Sequence, residues 1–271
     1  MSRSLMSKFL TVRQGDVERW TLNDPAARNA LSDSMVVDLF EACLRAKADP
    51  SLRVVVLTGA AGAFCAGGSL GHFAGAIGQP LEPGADDPLV AANRAFGDVL
   101  HALCELPQLL VCAVDGAAMG GGFGLVCCAD HVMATRRSVF ATPEVTLGLP
   151  PAQIAPFVWA RLGDALARQC LLQGRRLDAQ AAQQHGLVDE LVDDAALEAA
   201  LGQTLQRLRQ AAPSAVAATK QLLGRLRWKM PDLRDEAALA FASALRGREA
   251  SAGLAAFAAR RPAPWAGGDP A

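Results

Sequence analysis

The chain has 271 residues, of which 51% are hydrophobic and 20% charged, and its formal net charge is −1. This length accommodates a large buried core, and the balanced charge excludes the strongly basic surface by which many proteins bind nucleic acids or membranes. No apolar run approaches the ~18 uncharged residues of a membrane span, and the first residues lack the apolar stretch of a signal peptide. We therefore expect a cytoplasmic protein with no nucleic-acid or membrane partner. The seven cysteines include no C-x-x-C pair, which predicts reduced, buried thiols and no metal site.

The N-terminal quarter predicts a hairpin, a helix and a buried strand. Two β-prone runs, 9–12 and 17–22, flank a Gln-Gly-Asp turn and indicate the hairpin. Apolar residues at helical spacing then follow Ser32-Asp33, and this helix is expected to end at Asp49-Pro50. The uniformly apolar run 54–58 is typical of a strand that is buried on both faces of a parallel sheet.

Strands and helices continue to alternate after a Gly/Pro-rich stretch, 75–88, which we expect to be a mobile surface loop. The predicted elements are a helix at 89–104, a strand at 109–114, a helix from Gly122 and a strand at 132–135. This alternation predicts α/β architecture with a mainly parallel sheet.

The C-terminal part of the sequence has a different pattern. From Gln153 onward the sequence predicts helices almost throughout, apart from a strand at 187–192, and a disordered tail after Arg261. We divide the chain into a core, 1–195, and a helical C-terminal region, 196–271.

Two glycine-rich turns indicate an oxyanion site. Gly120, Gly121 and Gly122 lie between an apolar strand and an apolar helix, and a second turn, 64–68, follows the strand at 54–58. Glycine turns leave backbone N–H groups uncovered at a helix start, where negative charge is favoured. Two such groups directed at one oxygen would stabilise an enolate or a tetrahedral intermediate.

Glu144 is the candidate acid or base. It follows Pro143 in an apolar, β-prone segment, so its carboxylate is either paired or desolvated. Desolvation raises the pKa of a carboxyl group toward neutrality, where it can exchange protons with carbon or water. The alternative is a salt-bridged or surface glutamate with a structural role.

A serine hydrolase is an alternative from another class. Residues 67–71 match the G-x-S-x-G nucleophile motif and would make Ser69 the nucleophile. That motif requires several preceding sheet strands and a base with an orienting partner, and neither His131 nor His185 has an evident one. The sequence contains no G-x-G-x-x-G, phosphate-binding-loop or H-E-x-x-H motif.

Five motifs together resemble the crotonase, or enoyl-CoA hydratase/isomerase, superfamily. The resemblance runs from Val17 to Trp265, and its motifs occupy residues 25–31, 63–68, 114–122, 140–149 and 186–189. It implies a ββα spiral core followed by a helical region that helps to form homotrimers or dimers of trimers. It also implies an acyl-CoA thioester as the substrate, with no cofactor besides the CoA that this substrate carries.

The resemblance assigns roles to individual residues. The backbone amides of Gly68 and Gly121 match those that hold the thioester oxygen, and Glu144 matches the acid that exchanges a proton with the acyl chain. A further set matches the segments that border CoA: Arg28, Ala30, Ala66, Gly68, Ser69 and Leu70.

Two departures from the family pattern affect the expected reaction. Gly124 stands where hydratases with two glutamates carry the first acid, and Ser69 stands where an Asp is usual. One carboxylate suffices to move a double bond, so Δ3,Δ2-enoyl-CoA isomerisation is the alternative to hydration. Gly124 could equally make room for a bulky acyl chain, and a CoA-binding protein without turnover is a third possibility.

The segment 149–156 contains Pro150 and Pro151 in place of a Gly-rich stretch. In this it resembles the methylglutaconyl-CoA and isohexenylglutaconyl-CoA hydratases. We therefore expect hydration of a 2-enoyl-CoA that carries a branched or terpenoid acyl chain.

Overall fold

The computed structural model of the chain describes residues 7–69, 75–81, 84–227 and 233–266. Its strands are Phe9–Gln14 (β1), Val17–Leu22 (β2), Val54–Gly59 (β3), Leu109–Val114 (β4), Ala117–Met119 (β5), His131–Thr135 (β6), Val139–Ala141 (β7), Leu177–Asp178 (β8) and Glu190–Val192 (β9). Its α-helices are Asp33–Ala48 (α1), Pro88–Cys104 (α2), Gly121–Cys127 (α3), Ala155–Gln173 (α4), Ala179–Gln184 (α5), Leu197–Leu208 (α6), Pro213–Arg227 (α7), Arg234–Arg246 (α8) and Arg248–Ala258 (α9). Short 3-10 helices occupy Pro25–Ala27, Pro143–Leu147 and Pro264–Ala266.

The predicted α/β architecture is confirmed. Six strands form one sheet in the order β1-β2-β3-β4-β6-β9, in which only the β1–β2 hairpin is antiparallel. A second sheet, in the order β5-β7-β8, was not predicted. Its strand β7 lies in the β-prone run before Glu144, but β5 and β8 are only three and two residues long. Such short runs carry no measurable alternation of apolar and polar residues.

Both faces of the large sheet are buried at β3, as predicted. Val55 and Leu57 belong to the main core, whereas Val54 and Val56 point to the other face. There α6 covers them with Leu197 and Leu201. The division at residue 195 stays a prediction, and α6 packs directly on the sheet of the proposed core.

Two predicted elements are wrong in part. The strand expected at 187–192 begins only at Glu190, because the amides of Leu187 and Val188 bond to the carbonyl of Ala182 and complete the end of α5. The tail expected to be disordered after Arg261 contains the 3-10 helix Pro264–Ala266, in which the ring of Trp265 approaches Gly253 of α9. Residues 267–271 lie outside the described part of the chain.

The loop that we expected to be mobile, 75–88, is hydrogen-bonded to α8 through its described parts, 75–81 and 84–88. The guanidinium of Arg246 donates to both carboxylate oxygens of Asp87, at 2.6 and 2.7 Å, and to the carbonyl of Gln79 at 3.1 Å. Asp87 also caps α2 by accepting from the amide of Leu89. The amide of Gly78 donates to the carbonyl of Leu245.

Of the helices in the described ranges, none has the length and apolar character that a bilayer crossing requires.

We expect Arg246→Met to lower the thermal unfolding midpoint several times more than Arg136→Met. The carboxylate of Asp87 is only 9% exposed and would lose the partner that holds its pKa below the ordinary range. Arg136 pairs with Asp193 in water, where an ion pair contributes little. Equal shifts in differential scanning calorimetry would show that the Arg246 contact does not hold the loop to α8.

Candidate active site

The first glycine turn is aligned by the segment that follows the first 3-10 helix. The amide of Leu31 donates to the carbonyl of Gly67, and the amide of Ser69 donates to the carbonyl of Leu31. In a parallel bridge of this kind the residue between the two bonded neighbours directs its own N–H away from the partner. The N–H of Gly68 therefore points away from Leu31.

Asn29 stabilises the segment that leads into the same turn. Its buried side chain donates to the carbonyls of Ala60 and Ala63, at 2.9 and 2.7 Å, and accepts from the amide of Asp24. Asn29 adopts a φ of 58°, a conformation that asparagine tolerates better than most residues. Its role was not predicted, although it lies inside the first motif.

The second glycine turn starts α3. The amide of Gly120 donates to the carbonyl of Ala141, and the carbonyl of Gly120 accepts from the amide of Gly124. Gly121 is the first residue of the helix, so its own N–H has no acceptor within the helix. A Cβ on Gly121 would lie 2.8 Å from Cδ1 of Leu31 and 3.1 Å from Cζ of Phe96, so a side chain here would push neighbouring atoms away.

The two turns lie against each other at one cavity. A Cβ on Gly67 would lie 3.1 Å from the carbonyl oxygen of Met119 and 3.8 Å from the Cα of Gly120. Gly68 and Gly121 both line this cavity, which encloses about 160 Å³. Within the described ranges, neither of their amides donates a hydrogen bond. The structure thus brings the two glycines that the sequence indicated to one cavity.

Glu144 lines the same cavity but not in the predicted conformation. The β-prone run ends at Ala141, and Glu144 belongs to the 3-10 helix Pro143–Leu147. Its Oε1 lies close to Gly120, since a Cβ on that glycine would be 2.7 Å away. Its Oε2 is buried without a hydrogen-bond partner among the described residues, and burial raises the pKa of Glu144 to about 7. The alternative of a salt-bridged or surface Glu144 is therefore wrong.

The alternative that Gly124 makes room for a bulky acyl chain is wrong. A Cβ there would overlap Cγ2 of Ile154 and lie 3.0 Å from Ile154 Cβ. Leu100 Cδ2 would lie 3.7 Å away. The space in which hydratases with two glutamates are expected to hold their first acid is thus filled by apolar atoms in this chain, and Ile154 itself lines the cavity.

The residues expected to border CoA lie beside the first turn. The amide of Ala66 donates to the carbonyl of Arg28 at 3.0 Å, which places the segments 28–30 and 66–69 side by side. Arg28 and Ala66 are exposed, while Ala30 and Ser69 are half-buried. Leu70 lies outside the described residues. The structure does not test whether any of these residues binds CoA.

No histidine that the structure describes forms the hydrogen bond to Ser69 that the hydrolase alternative requires. His131 does lie beside Asp189 and Glu190, at 3.9 and 3.7 Å, so the expectation that it has no orienting partner is wrong. His101 packs edge-on against Phe157, with the ring centroids 5.5 Å apart. His185 caps the end of α5 at the surface.

Several cavity-lining residues were missed from the sequence. Asn93 and Phe96 come from α2, Gln153 precedes α4, and Phe241 comes from α8. A signal did exist for Asn93, which is the polar member of an apolar stripe on α2 that also contains Leu89, Phe96 and Leu100. For Phe241 there was none, because α8 reads as an ordinary amphipathic helix.

Comparison with known proteins points to a single family. The family model described as Enoyl-CoA hydratase/isomerase matches residues 13–268. A probable enoyl-CoA hydratase of Mycobacterium tuberculosis is 40% identical over 186 residues, which cover 67% of this chain and 70% of that protein.

Solved structures agree with this match. An enoyl-CoA hydratase/isomerase from Marinobacter aquaeolei is 41% identical, with 96% of this chain and 99% of that one covered and a TM-score of 0.77. AtuE of Pseudomonas aeruginosa is 43% identical, with 96% and 100% covered and a TM-score of 0.76. These likenesses confirm the predicted crotonase-type α/β fold with a helical C-terminal region.

The raised pKa of Glu144 predicts a pH-dependent stability. Because the native pKa is about 7 and the ordinary value is 4.5, the folded protein binds an extra proton between these pH values. The free energy of unfolding should therefore fall by roughly 3 kcal/mol from this group as the pH rises from 4.5 to 7. Glu144→Gln should lack this fall and be more stable than the wild type at pH 8.

Urea titrations of both proteins at pH 5 and pH 8 check this difference, with Glu105→Gln as the matched control. Glu105 is about half exposed and pairs with Lys47 at the surface. Parallel pH dependence in the wild type and Glu144→Gln would contradict a desolvated Glu144.

The contact between Gly124 and Ile154 predicts that substitutions at these two residues have coupled effects on the free energy of unfolding. Gly124→Ala should lower the free energy of unfolding by about 1–3 kcal/mol, because the new methyl group overlaps Ile154. In an Ile154→Ala background the same change should cost much less, since Cγ2 is gone. Gly202→Ala is the control, because a Cβ on this α6 glycine meets no atom within 4 Å. If the two substitutions lowered the free energy of unfolding additively, the contact between Gly124 and Ile154 would be contradicted.

Proposed function

Because the chain belongs to the enoyl-CoA hydratase/isomerase family, we propose that it adds water across the double bond of a 2-enoyl-CoA thioester. The observation that carries this proposal is that one cavity is lined by Glu144, whose carboxylate is desolvated, and by two glycines whose N–H groups donate to no acceptor among the described residues. Backbone donors of this kind stabilise an oxygen that gains negative charge, and a carboxylate with a pKa near neutrality moves protons.

In the proposed reaction the thioester oxygen lies between the amides of Gly68 and Gly121. Attack of water on the β-carbon sends the electrons of the double bond to this oxygen, which becomes an enolate. Each of the two donors contributes roughly 3 kcal/mol to the stability of that state. Glu144, as a carboxylate, accepts the proton of the water and then returns it to the α-carbon, so one acid serves both steps.

Isomerisation of a 3-enoyl-CoA to a 2-enoyl-CoA is the second candidate. The observation that favours it is Ile154, whose methyl group fills the space beside Gly124, where hydratases with two glutamates carry the first acid. A single carboxylate can remove a proton from one carbon and return it to another. Neither step of isomerisation consumes water.

The walls of the cavity favour an apolar acyl chain. Leu149, Pro150, Ile154 and Phe241 line it, and they complement a branched hydrocarbon chain. A branched or terpenoid chain is thus our proposal, and the methylglutaconyl and isohexenylglutaconyl chains serve as comparisons.

Other expectations stay proposals. CoA is held as part of the substrate, with Arg28, Ala30, Ala66 and Ser69 at its border, and the protein is a cytoplasmic homotrimer or dimer of trimers. Exposed leucines on α7, Leu222, Leu223 and Leu226, would suit burial between subunits.

Turnover in labelled water separates the two reactions. We expect crotonyl-CoA, 3-methylcrotonyl-CoA, 2-octenoyl-CoA or 3-methylglutaconyl-CoA to gain one labelled oxygen by mass spectrometry. Conversion of 3-octenoyl-CoA to 2-octenoyl-CoA without label would instead indicate isomerisation. Glu144→Gln should lower kcat by a factor of about 10² to 10⁴, while Glu105→Gln keeps it.

The same assay has a pH signature. Hydration requires the carboxylate form of Glu144, so kcat/KM should rise as the pH passes through about 7 and then level off. Near-full turnover by Glu144→Gln would remove this residue from the mechanism. Unchanged substrate over long incubation with the whole panel would favour a CoA-binding protein.

A further inference from the structure

The cavity wall carries a second buried oxygen without a partner. Besides Oε2 of Glu144, Oδ1 of Asn93 is buried and accepts no hydrogen bond within the described part of the chain. Both residues line the same cavity as Gly68 and Gly121. Burying an acceptor without a donor is unfavourable, so a pair of such acceptors at one cavity points to a ligand with two donors.

The packing of α2 places Asn93 at the Glu144 end of the cavity. Leu100 approaches Gly124, and Phe96, one turn earlier, approaches Gly121. The face of α2 thus runs along the start of α3, and Asn93 lies three residues before Phe96, about 4.5 Å further along the helix axis in the direction of Gly120. Glu144 Oε1 lies against Gly120.

Gln153 and Ile154, which also line the cavity, do not offer the same acceptor. The side-chain amide of Gln153 donates to the carbonyl of Arg234 at 2.9 Å, and its Oε1 is pressed against Gly97. At Gly124 the apolar side chain of Ile154 occupies the space of the expected acid.

We propose that Oδ1 of Asn93 and the carboxylate of Glu144 together hold the water molecule that attacks the enoyl double bond. Water has two O–H groups, and each finds one acceptor, which leaves an oxygen lone pair for the β-carbon. Asn93 thereby supplies the positioning that a second carboxylate would otherwise give, without adding negative charge. This inference rests on the proposed hydration.

Glu144 carries the proton throughout the proposed hydration. The O–H bond that faces Glu144 breaks and its proton passes to the carboxylate, while the water oxygen bonds to the β-carbon. The displaced electron pair rests on the thioester oxygen until Glu144 returns the proton to the α-carbon. The hydrogen that Asn93 holds stays on the hydroxyl group of the product.

Two reactions distinguish this role from a structural one. Hydration needs the positioned water, whereas exchange of the α-hydrogen of a saturated acyl-CoA in deuterated water needs only Glu144 and the two amides. The probes are the enoyl-CoA of the panel above with the highest kcat/KM and its saturated counterpart. The variants are Asn93→Leu, Asn93→Asp and, on the exposed side of α2, the control Ala91→Ser.

We expect Asn93→Leu to lower kcat for hydration by about 100-fold while α-hydrogen exchange stays near the wild-type rate. Asn93→Asp restores an acceptor and should recover most of the hydration. Its negative charge should also raise the pH at which kcat/KM reaches half its plateau. Ala91→Ser should match the wild type in both reactions.

Other results of these assays would contradict the proposed role of Asn93. Full hydration by Asn93→Leu would show that Asn93 does not hold the water, and an equal loss of hydration and exchange would make its role structural. If the wild type exchanges the α-hydrogen but hydrates no member of the panel, the proposed function fails as well, and the inference fails with it.

Discussion

The proposed chemistry depends on the close approach of two backbone turns that leave no space for side chains. A Cβ on Gly67 would lie 3.1 Å from the carbonyl of Met119, and one on Gly120 would lie 2.7 Å from Glu144. Glycine alone permits these contacts, and they bring the amides of Gly68 and Gly121 to one cavity. Backbone donors do not titrate, so they can stabilise an enolate at any pH at which the protein is folded.

The carboxylate gains its reactivity from the same dense packing. Burial raises the pKa of Glu144 to about 7, and Ile154 fills the place beside Gly124 where the family pattern has its first acid. A cavity built in this way needs neutral groups to position water, and the carboxamide of Asn93 meets that need at no cost in charge repulsion.

Much of this arrangement could be predicted from the sequence, because long apolar runs determine where β3, β4 and α1 lie. The glycine turns were also evident, since three consecutive glycines have few other uses between a strand and a helix. What could not be predicted depends on distant contacts: the short strand β8, the contact of Ile154 with Gly124, and the entry of Phe241 into the cavity. No local pattern encodes which helix face meets which turn, and the 3-10 conformation at Glu144 overrides a β-prone run.

The most direct test of the central claim is the stretching frequency of the thioester carbonyl in a bound substrate analogue. Raman difference spectra of a saturated acyl-CoA labelled with carbon-13 at the carbonyl would be recorded in water and on the wild-type protein. Two amide donors at the oxygen weaken the C=O bond, so the account predicts a shift of the labelled band to lower wavenumber on binding. A saturably bound analogue whose band stays at its position in water would show that the amides of Gly68 and Gly121 do not meet at that oxygen.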